Sequence, residues 1–181
     1  MANVELPELF EEINKGLGYA LKPMDSKDNV VGRDKDLSDL SIIMRRRETQ
    51  VALLLAHAGI GKTALAGSWM NKQEKQGKYL EMYELKIGML GGDGENNSLK
   101  RRMNTLLSDM KRYKDELIKV RPDAELVLFI DEVHTVISVF GEATKIGGDL
   151  LKDSLARAEE FVKVITATTP DEYNSYINLL R

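Results

Sequence analysis

From Val30 onward the chain alternates between two hydrophobic rhythms. Short apolar runs read as buried strands at Gln50 to Ala56, Tyr79 to Leu85, Leu126 to Ile130 and Phe161 to Ala167. Between them apolar residues recur at helical spacing. Leu37, Leu40, Ile43 and Met44 fall on one face of a helix that Asp34 or Asp36 can N-cap. Leu65, Trp69 and Met70 mark a helix over Lys62 to Lys75. A long helix capped by Ser98 carries Leu99, Met103, Leu106, Leu107, Met110, Tyr113 and Leu117, and Arg121-Pro122-Asp123 breaks it. Leu150, Leu151 and Leu155 mark another helix after Gly147-Gly148, and Pro170 opens a last one. The Gly- and Asn-rich stretch from Gly88 to Asn97 is a loop.

Alternating strands and helices, with several strands apolar throughout, predict an α/β fold with a parallel sheet covered on both faces. Before Val30 the pattern is irregular. Pro7, Gly16, Gly18 and Pro23 punctuate residues 1–29, which read as an extension with a short helix around Glu8 to Lys15. Residues 30–181 form the predicted domain.

The strand at Gln50 to Ala56 runs into Ala56-His57-Ala58-Gly59-Ile60-Gly61-Lys62-Thr63, and a helix follows. Strand, Gly-containing loop, Gly-Lys-Thr and helix form the order of a phosphate-binding loop. Loop N–H groups and the helix N-terminus face phosphates, Lys62 adds charge, and the Thr63 hydroxyl can hold Mg²⁺. The motif calls for Gly at position 56, and this chain has Ala. A Cβ there costs on the order of 1 kcal/mol if the residue needs a positive φ.

A second element is Leu126-Val127-Leu128-Phe129-Ile130-Asp131-Glu132, an apolar strand ending in two carboxylates. Such a pair is costly unless positive charge is near. In a phosphate-loop ATPase Asp131 serves Mg²⁺ and Glu132 orients and deprotonates the attacking water. The plain alternative, a surface Asp-Glu beside an ordinary glycine turn, leaves the order of the two motifs unexplained. A third element is Ile165-Thr166-Ala167-Thr168-Thr169. Thr169, at a strand tip, can contact a γ-phosphate or the attacking water, and it can equally cap the helix opened by Pro170.

Composition narrows the field. The chain has 181 residues, 43% hydrophobic and 30% charged, with a formal net charge of -3. Charges of both signs are interspersed, so neither a nucleic-acid nor a membrane surface is indicated. Arg45-Arg46-Arg47 reads as a solvated helix end, where positive charge suits the dipole. With no cysteine there is no disulfide or thiolate metal site, in keeping with a reducing cytoplasm. No apolar run reaches the roughly 20 residues of a membrane span, and the N-terminus lacks a signal-peptide pattern. His57 lies where loop backbone does the binding. His134 has no third ligand at zinc spacing and reads as a packing or hydrogen-bonding residue beside the acidic pair. Trp69 reads as core.

Val30-Val31-Gly32-Arg33-Asp34, then Arg45 to Arg47, the phosphate loop, FIDEVHT at Phe129 to Thr135 and ATTPDEY at Ala167 to Tyr173 together resemble the first ATPase module of the Clp/heat-shock unfoldases, AAA+ proteins. The resemblance runs from about Val30 to Tyr176. It implies a three-layer α/β/α sandwich with a parallel five-stranded sheet. It implies an adenine pocket lined by Val30 and Val31, and nucleotide held by Ala58, Gly59, Ile60, Gly61, Lys62, Thr63 and Ala64. ATP and Mg²⁺ would be the cofactors, with Thr63 and Asp131 on the metal and Glu132, Lys62 and Thr169 in hydrolysis. Hexameric rings that thread protein clients, in some cases for a protease partner, are implied for the full protein.

Three departures stand out. Ala56 replaces the first loop glycine. The family's pore tyrosine falls at about Glu95, in an acidic loop without aromatics. The chain ends at Arg181, before the positions of the family's arginine fingers and small helical lid. The expectation is weak or negligible ATPase activity for the chain alone, for which a monomer stays open beside the ring. Two functions compete: an ATP-driven protein-unfolding module, and a regulatory or scaffold module that binds ATP without threading. A DNA-associated loader fits the mild acidity poorly.

Overall fold

Strand β4 (Glu125–Ile130) sits at the centre of a five-stranded sheet, and its residues show why the sheet is covered on both sides. Leu126, Leu128 and Ile130 point into one buried cluster, and Val127 and Phe129 point into the other. With a side-chain period of two, an unbroken apolar run buries both faces of a strand. The structure, a computed structural model, describes residues 5–25, 27, 29–47, 50–90, 96–135 and 162–179. The helix read around Leu150 to Leu155 and the loop position Glu95 lie outside the described residues.

The elements in chain order are α1 (Leu6–Gly16), β1 (Leu21–Pro23), α2 (Asp34–Ile43), β2 (Val51–Leu55), α3 (Lys62–Lys75), β3 (Leu80–Leu85), α4 (Ile87–Leu90), α5 (Asn96–Val120), β4, β5 (Lys163–Thr168) and α6 (Pro170–Leu179). The spatial order is β1-β3-β4-β5-β2. Strands β3, β4, β5 and β2 are mutually parallel. Helices α1 and α5 cover one face, where Leu9, Ile13, Met103, Leu106, Met110 and Leu117 pack. Helices α2 and α3 cover the other, with Leu37, Leu40, Leu65, Trp69 and Met70. This is the expected α/β/α sandwich. Trp69 is 1% exposed, and its indole N–H donates to Ser41 Oγ at 3.1 Å, so its one polar atom is satisfied in the core.

One strand departs from the all-parallel expectation. The fifth strand, β1, pairs antiparallel with β3, Leu21 opposite Leu85 and Pro23 opposite Tyr83. Gly18 (φ 66°) and Tyr19 (φ 60°) reverse the chain after α1 and bring it back along the sheet edge. An edge is also where a strand tolerates Pro23, which has no N–H to give. Asn14 takes the place of a further neighbour for β1. Its Nδ2 donates to Leu21 O at 2.8 Å, and its Oδ1 accepts the Leu21 N–H at 2.9 Å. The segment read as an extension thus contributes α1, β1 and five core residues, Leu9, Ile13, Leu17, Ala20 and Leu21.

Strand β2, expected to be buried, lies at the other margin of the described sheet. Leu53 and Leu55 are 42% and 45% exposed. Among the described residues no helix is long and apolar enough to cross a membrane.

Candidate functional site

The carboxyl ends of β2, β4 and β5 meet around one cavity of about 360 Å³. In an open α/β sheet this end of the strands is where ligands bind. The loop after β2 supplies Ala58, Gly59 and Gly61, α3 supplies Lys62 and Thr63, the end of β4 supplies Asp131 and Glu132, and the β5–α6 junction supplies Thr168, Thr169 and Glu172.

The loop is built by two left-handed glycines, Gly59 and Gly61, both at φ 78°. Such a backbone is strained for any residue with a Cβ. Gly61 is the N-cap of α3, so the unpaired N–H groups of the first helical turn face the cavity. Ala56 does not share this geometry. Among the described non-glycine residues only Tyr19 and Glu132 have positive φ, and the Ala56 N–H donates to Thr168 O at 3.3 Å just beyond the β2–β5 ladder. The expected Cβ penalty at position 56 does not arise, because its φ is not positive.

Lys62 folds back over this loop. Its Nζ donates to Ala56 O at 2.9 Å and His57 O at 3.3 Å. These are neutral acceptors that a phosphate oxygen would outcompete, since charge-assisted hydrogen bonds are about twice as strong. The Thr63 hydroxyl lies 3.3 Å from Asp131 Oδ2. Asp131 Oδ1 in turn accepts the Glu132 N–H at 2.9 Å. Glu132 is exposed and sits at φ 51°, a left-handed conformation that ends the strand and lets both carboxylates face the cavity. A hydroxyl and a carboxylate oxygen at the mouth of an N–H-lined loop suit Mg²⁺, which takes hard oxygen donors and completes its shell with water and phosphate. Among the described residues no three His, Cys, Asp or Glu converge in a metal cage.

Thr169 takes the capping role its position allows, and it also lines the cavity. It caps α6 through reciprocal bonds with Glu172: the Glu172 N–H donates to Thr169 Oγ1 at 3.3 Å, and the Thr169 N–H donates to Glu172 Oε2 at 3.1 Å. The Thr169 hydroxyl also donates to Glu172 Oε2 at 2.8 Å. That same oxygen accepts from Thr168 Oγ1 at 3.2 Å and lies 3.0 Å from His134 Nδ1. Burial pushes the Glu172 carboxyl up, yet the Thr169 hydroxyl and N–H, the His134 charge and the Thr168 hydroxyl together hold it below its ordinary value.

The cavity gathers Ala58, Gly59, Gly61, Lys62, Thr63, Asp131, Glu132 and Thr169. Val30, Val31, Ile60 and Ala64 are not in its lining. Val30 docks on α3, its N–H donating to Ser68 Oγ at 2.8 Å, while Val31 is 90% exposed. Arg33 ties this segment to the loop through Ile60 O at 3.4 Å. Sequence reasoning missed Glu172 as a member of the cavity. Its signal was legible in Thr169-Pro170-Asp171-Glu172, the S/T-x-x-E spacing of a capping box.

Comparison with known proteins agrees with this geometry. The profile of the "ATPase family associated with various cellular activities (AAA)" matches residues 52–180. A chaperone protein ClpB of Mycoplasma genitalium is 30% identical over 160 residues, covering 83% of this chain and 21% of its own length. A ClpB of Dichelobacter nodosus is 31% identical over 170 residues, covering 89% of this chain and 18% of its own. The negative regulator of genetic competence ClpC/MecB of Bacillus subtilis is 32% identical over 166 residues, covering 87% and 19%. The chain therefore spans about a fifth of these relatives. Among solved structures, Hsp104 of S. cerevisiae in its casein complex superposes with a TM-score of 0.63 at 23% identity, over 94% of this chain and 26% of that one, a likeness of fold.

Proposed function

The chain belongs to the AAA family of ATPases, and from that premise we propose that its β2–β4–β5 cavity binds ATP with Mg²⁺ as the nucleotide module of a Clp-type protein-remodelling machine. The observation that carries this reading is the meeting of Thr63 Oγ1 and Asp131 Oδ2 at 3.3 Å, beside a helix N-terminus built on two left-handed glycines.

In this reading Ala58 to Ala64 wrap the phosphates through backbone N–H groups, and Lys62 exchanges its carbonyl partners for phosphate oxygens. Thr63 and Asp131 hold Mg²⁺, which when bound offsets the charge of the phosphates. Glu132, free of the sheet at its left-handed turn, takes a proton from the attacking water. Thr169 stands across the cavity at the tip of β5. Val30, tied to α3 through Ser68, and Val31 would take the base side of the nucleotide.

The relatives named as chaperones support a role in remodelling proteins, with the nucleotide cycle spent on protein clients in a hexameric ring in the cytoplasm. A protease partner belongs to the same proposal. A ring would supply an arginine from a neighbouring copy, which in phosphoryl transfer can be worth about 10³ or more in rate. The chain alone is expected to turn over slowly.

The test is a nucleotide-dependent thermal shift on this chain. Mg²⁺-ATP at about 100 times its Kd stabilises the folded state by about 2.7 kcal/mol. Lys62→Ala is expected to abolish the shift. A shift of the same size in Lys62→Ala would overturn the phosphate-loop assignment.

A further inference from the structure

We propose that Glu172 is a positioning residue that fixes the Thr169 hydroxyl as a hydrogen-bond acceptor toward the cavity, so that Thr169 orients the attacking water and does not donate to the γ-phosphate. The inference rests on the cavity being the ATP site and goes beyond it, because it assigns a function to a side chain outside the three motifs and decides between two roles for Thr169.

The argument is one of counting protons. A threonine hydroxyl has one proton and two lone pairs. The Thr169 proton goes to Glu172 Oε2 at 2.8 Å, the shortest of the contacts to that oxygen and charge-assisted. One lone pair takes the Glu172 N–H at 3.3 Å. Among the described residues this leaves one lone pair. A phosphate oxygen has only lone pairs, so it cannot use that position. A water molecule can, by donating one proton to Thr169 and the other to Glu132, which lines the same cavity. A water held by both protons turns its own lone pair toward a third group, the geometry a nucleophile needs.

The carboxylate is itself held. Oε2 accepts from Thr168 Oγ1 at 3.2 Å and from the Thr169 N–H at 3.1 Å, and His134 Nδ1 stands 3.0 Å away. His134 Nδ1 also lies 3.2 Å from Thr168 Oγ1, so the ring faces both Thr168 and Glu172. His134 follows the acidic pair by two residues, so Glu172 links the segment that bears Glu132 to the tip of β5. Rotating the Thr169 proton toward phosphate would break its bond to an anion inside a shared network, a loss of the order of tenfold in an equilibrium for each 1.4 kcal/mol.

The experiment compares ATPγS and ADP affinities, both with Mg²⁺, by titration calorimetry on this chain. Thr169→Val should leave the ATPγS-to-ADP ratio within about twofold, because no donor to the γ-phosphate is lost. Glu172→Gln removes the negative charge but keeps an acceptor oxygen, so it reads the electrostatic change alone. Glu172→Ala frees the hydroxyl proton and should raise the ratio about fivefold to tenfold beyond Glu172→Gln, the worth of one hydrogen bond to a charged acceptor. Adding Thr169→Val to Glu172→Ala should erase that excess. Thermal melts without nucleotide establish that each variant is folded at the titration temperature. A tenfold fall in the ratio for Thr169→Val alone, or equal ratios for Glu172→Ala and Glu172→Gln, overturns the inference and leaves the ATP site standing. Absence of saturable binding of either nucleotide by the unsubstituted chain overturns the site itself, and the inference with it.

Discussion

Thr63 and Asp131 are 68 positions apart in sequence, and their side-chain oxygens lie 3.3 Å from each other in the cavity lining. One comes from the first turn of α3 and the other from the end of β4, so the sheet is what brings them together. On the proposed function, two hard oxygen donors at this spacing are expected to make nucleotide binding depend on Mg²⁺. Asp131→Ala is expected to cut the Mg²⁺-dependent part of ATPγS affinity by about tenfold or more, while Thr63→Ser, which keeps the hydroxyl, stays within about threefold, these being the usual sizes of lost and retained charge-assisted contacts. Calorimetry with Mg²⁺ and with EDTA measures this. Equal Mg²⁺ dependence in Asp131→Ala and the unsubstituted chain would remove Asp131 from the metal site.

The alanine at the start of the phosphate loop leads to a second expectation. Ala56 follows the last residue of β2, its N–H donates to Thr168 O, and its φ is not positive. Ala56→Gly should leave ATP affinity within about twofold and lower the stability of the chain by roughly 0.4–1 kcal/mol, because glycine gives the unfolded chain more conformational freedom. Urea unfolding and titration calorimetry separate the two effects. Tenfold tighter ATP binding would show that the Cβ does obstruct the loop. Gly59→Ala and Gly61→Ala are the contrasting cases. Both positions are at φ 78°, where a Cβ costs about 1–2 kcal/mol and the strain falls on the phosphate cradle.

Much of this was legible in the sequence because it rests on local rules. The run Leu126 to Ile130 buries both faces and could only be a central strand. Gly59 and Gly61 announce their own φ, and Asp131-Glu132 after an apolar strand announces a strand end that presents two carboxylates, here to a cavity. What was not legible depends on partners distant in the chain. The strand Leu21–Pro23 has three residues, too few for a period, and its strand character comes from β3 and from the Asn14 side chain. The exposure of Leu53 and Leu55 depends on the order of strands, which no single run encodes. Glu172 sat in view as the fourth residue of a capping box, but that it enters the cavity needs the juxtaposition of β4, β5 and α6.

Asn14 gives a prediction on stability. Its buried side chain satisfies both the N–H and the C=O of Leu21, at 2.9 and 2.8 Å, on the edge of β1. Asn14→Ala leaves two backbone groups of a buried residue without partners, each costing about 1–3 kcal/mol. Asn14→Ala should therefore lower unfolding stability by about 2 kcal/mol or more in urea titrations, with the slope unchanged. ATP affinity should stay the same, since α1 packs on the opposite face of the sheet from α3 and β1 is the edge strand farthest from β2. A loss under about 0.5 kcal/mol, the range of ordinary surface substitutions, would mean that the Asn14 bonds do not hold the strand.

Glu172 gives the protein a pH signature that needs no nucleotide. Its folded-state carboxyl titrates below its ordinary value, because three donated hydrogen bonds and the nearby His134 outweigh the upward push of burial. A group whose proton affinity falls on folding stabilises the folded state when ionised. That contribution is complete above the ordinary glutamate value of 4.5 and is lost as pH falls through the depressed folded value. The capping box of α6 is of a kind worth about 1 kcal/mol, which for a chain of this length is roughly 2–4 °C in Tm. Glu172→Gln should therefore melt a few degrees lower than the unsubstituted chain at pH 7, and the gap should close as the pH falls below 4.5. A gap that stays constant from pH 7 down to the acid limit would show that the carboxylate charge does not hold Thr169, and that Glu172 serves the helix through its shape alone.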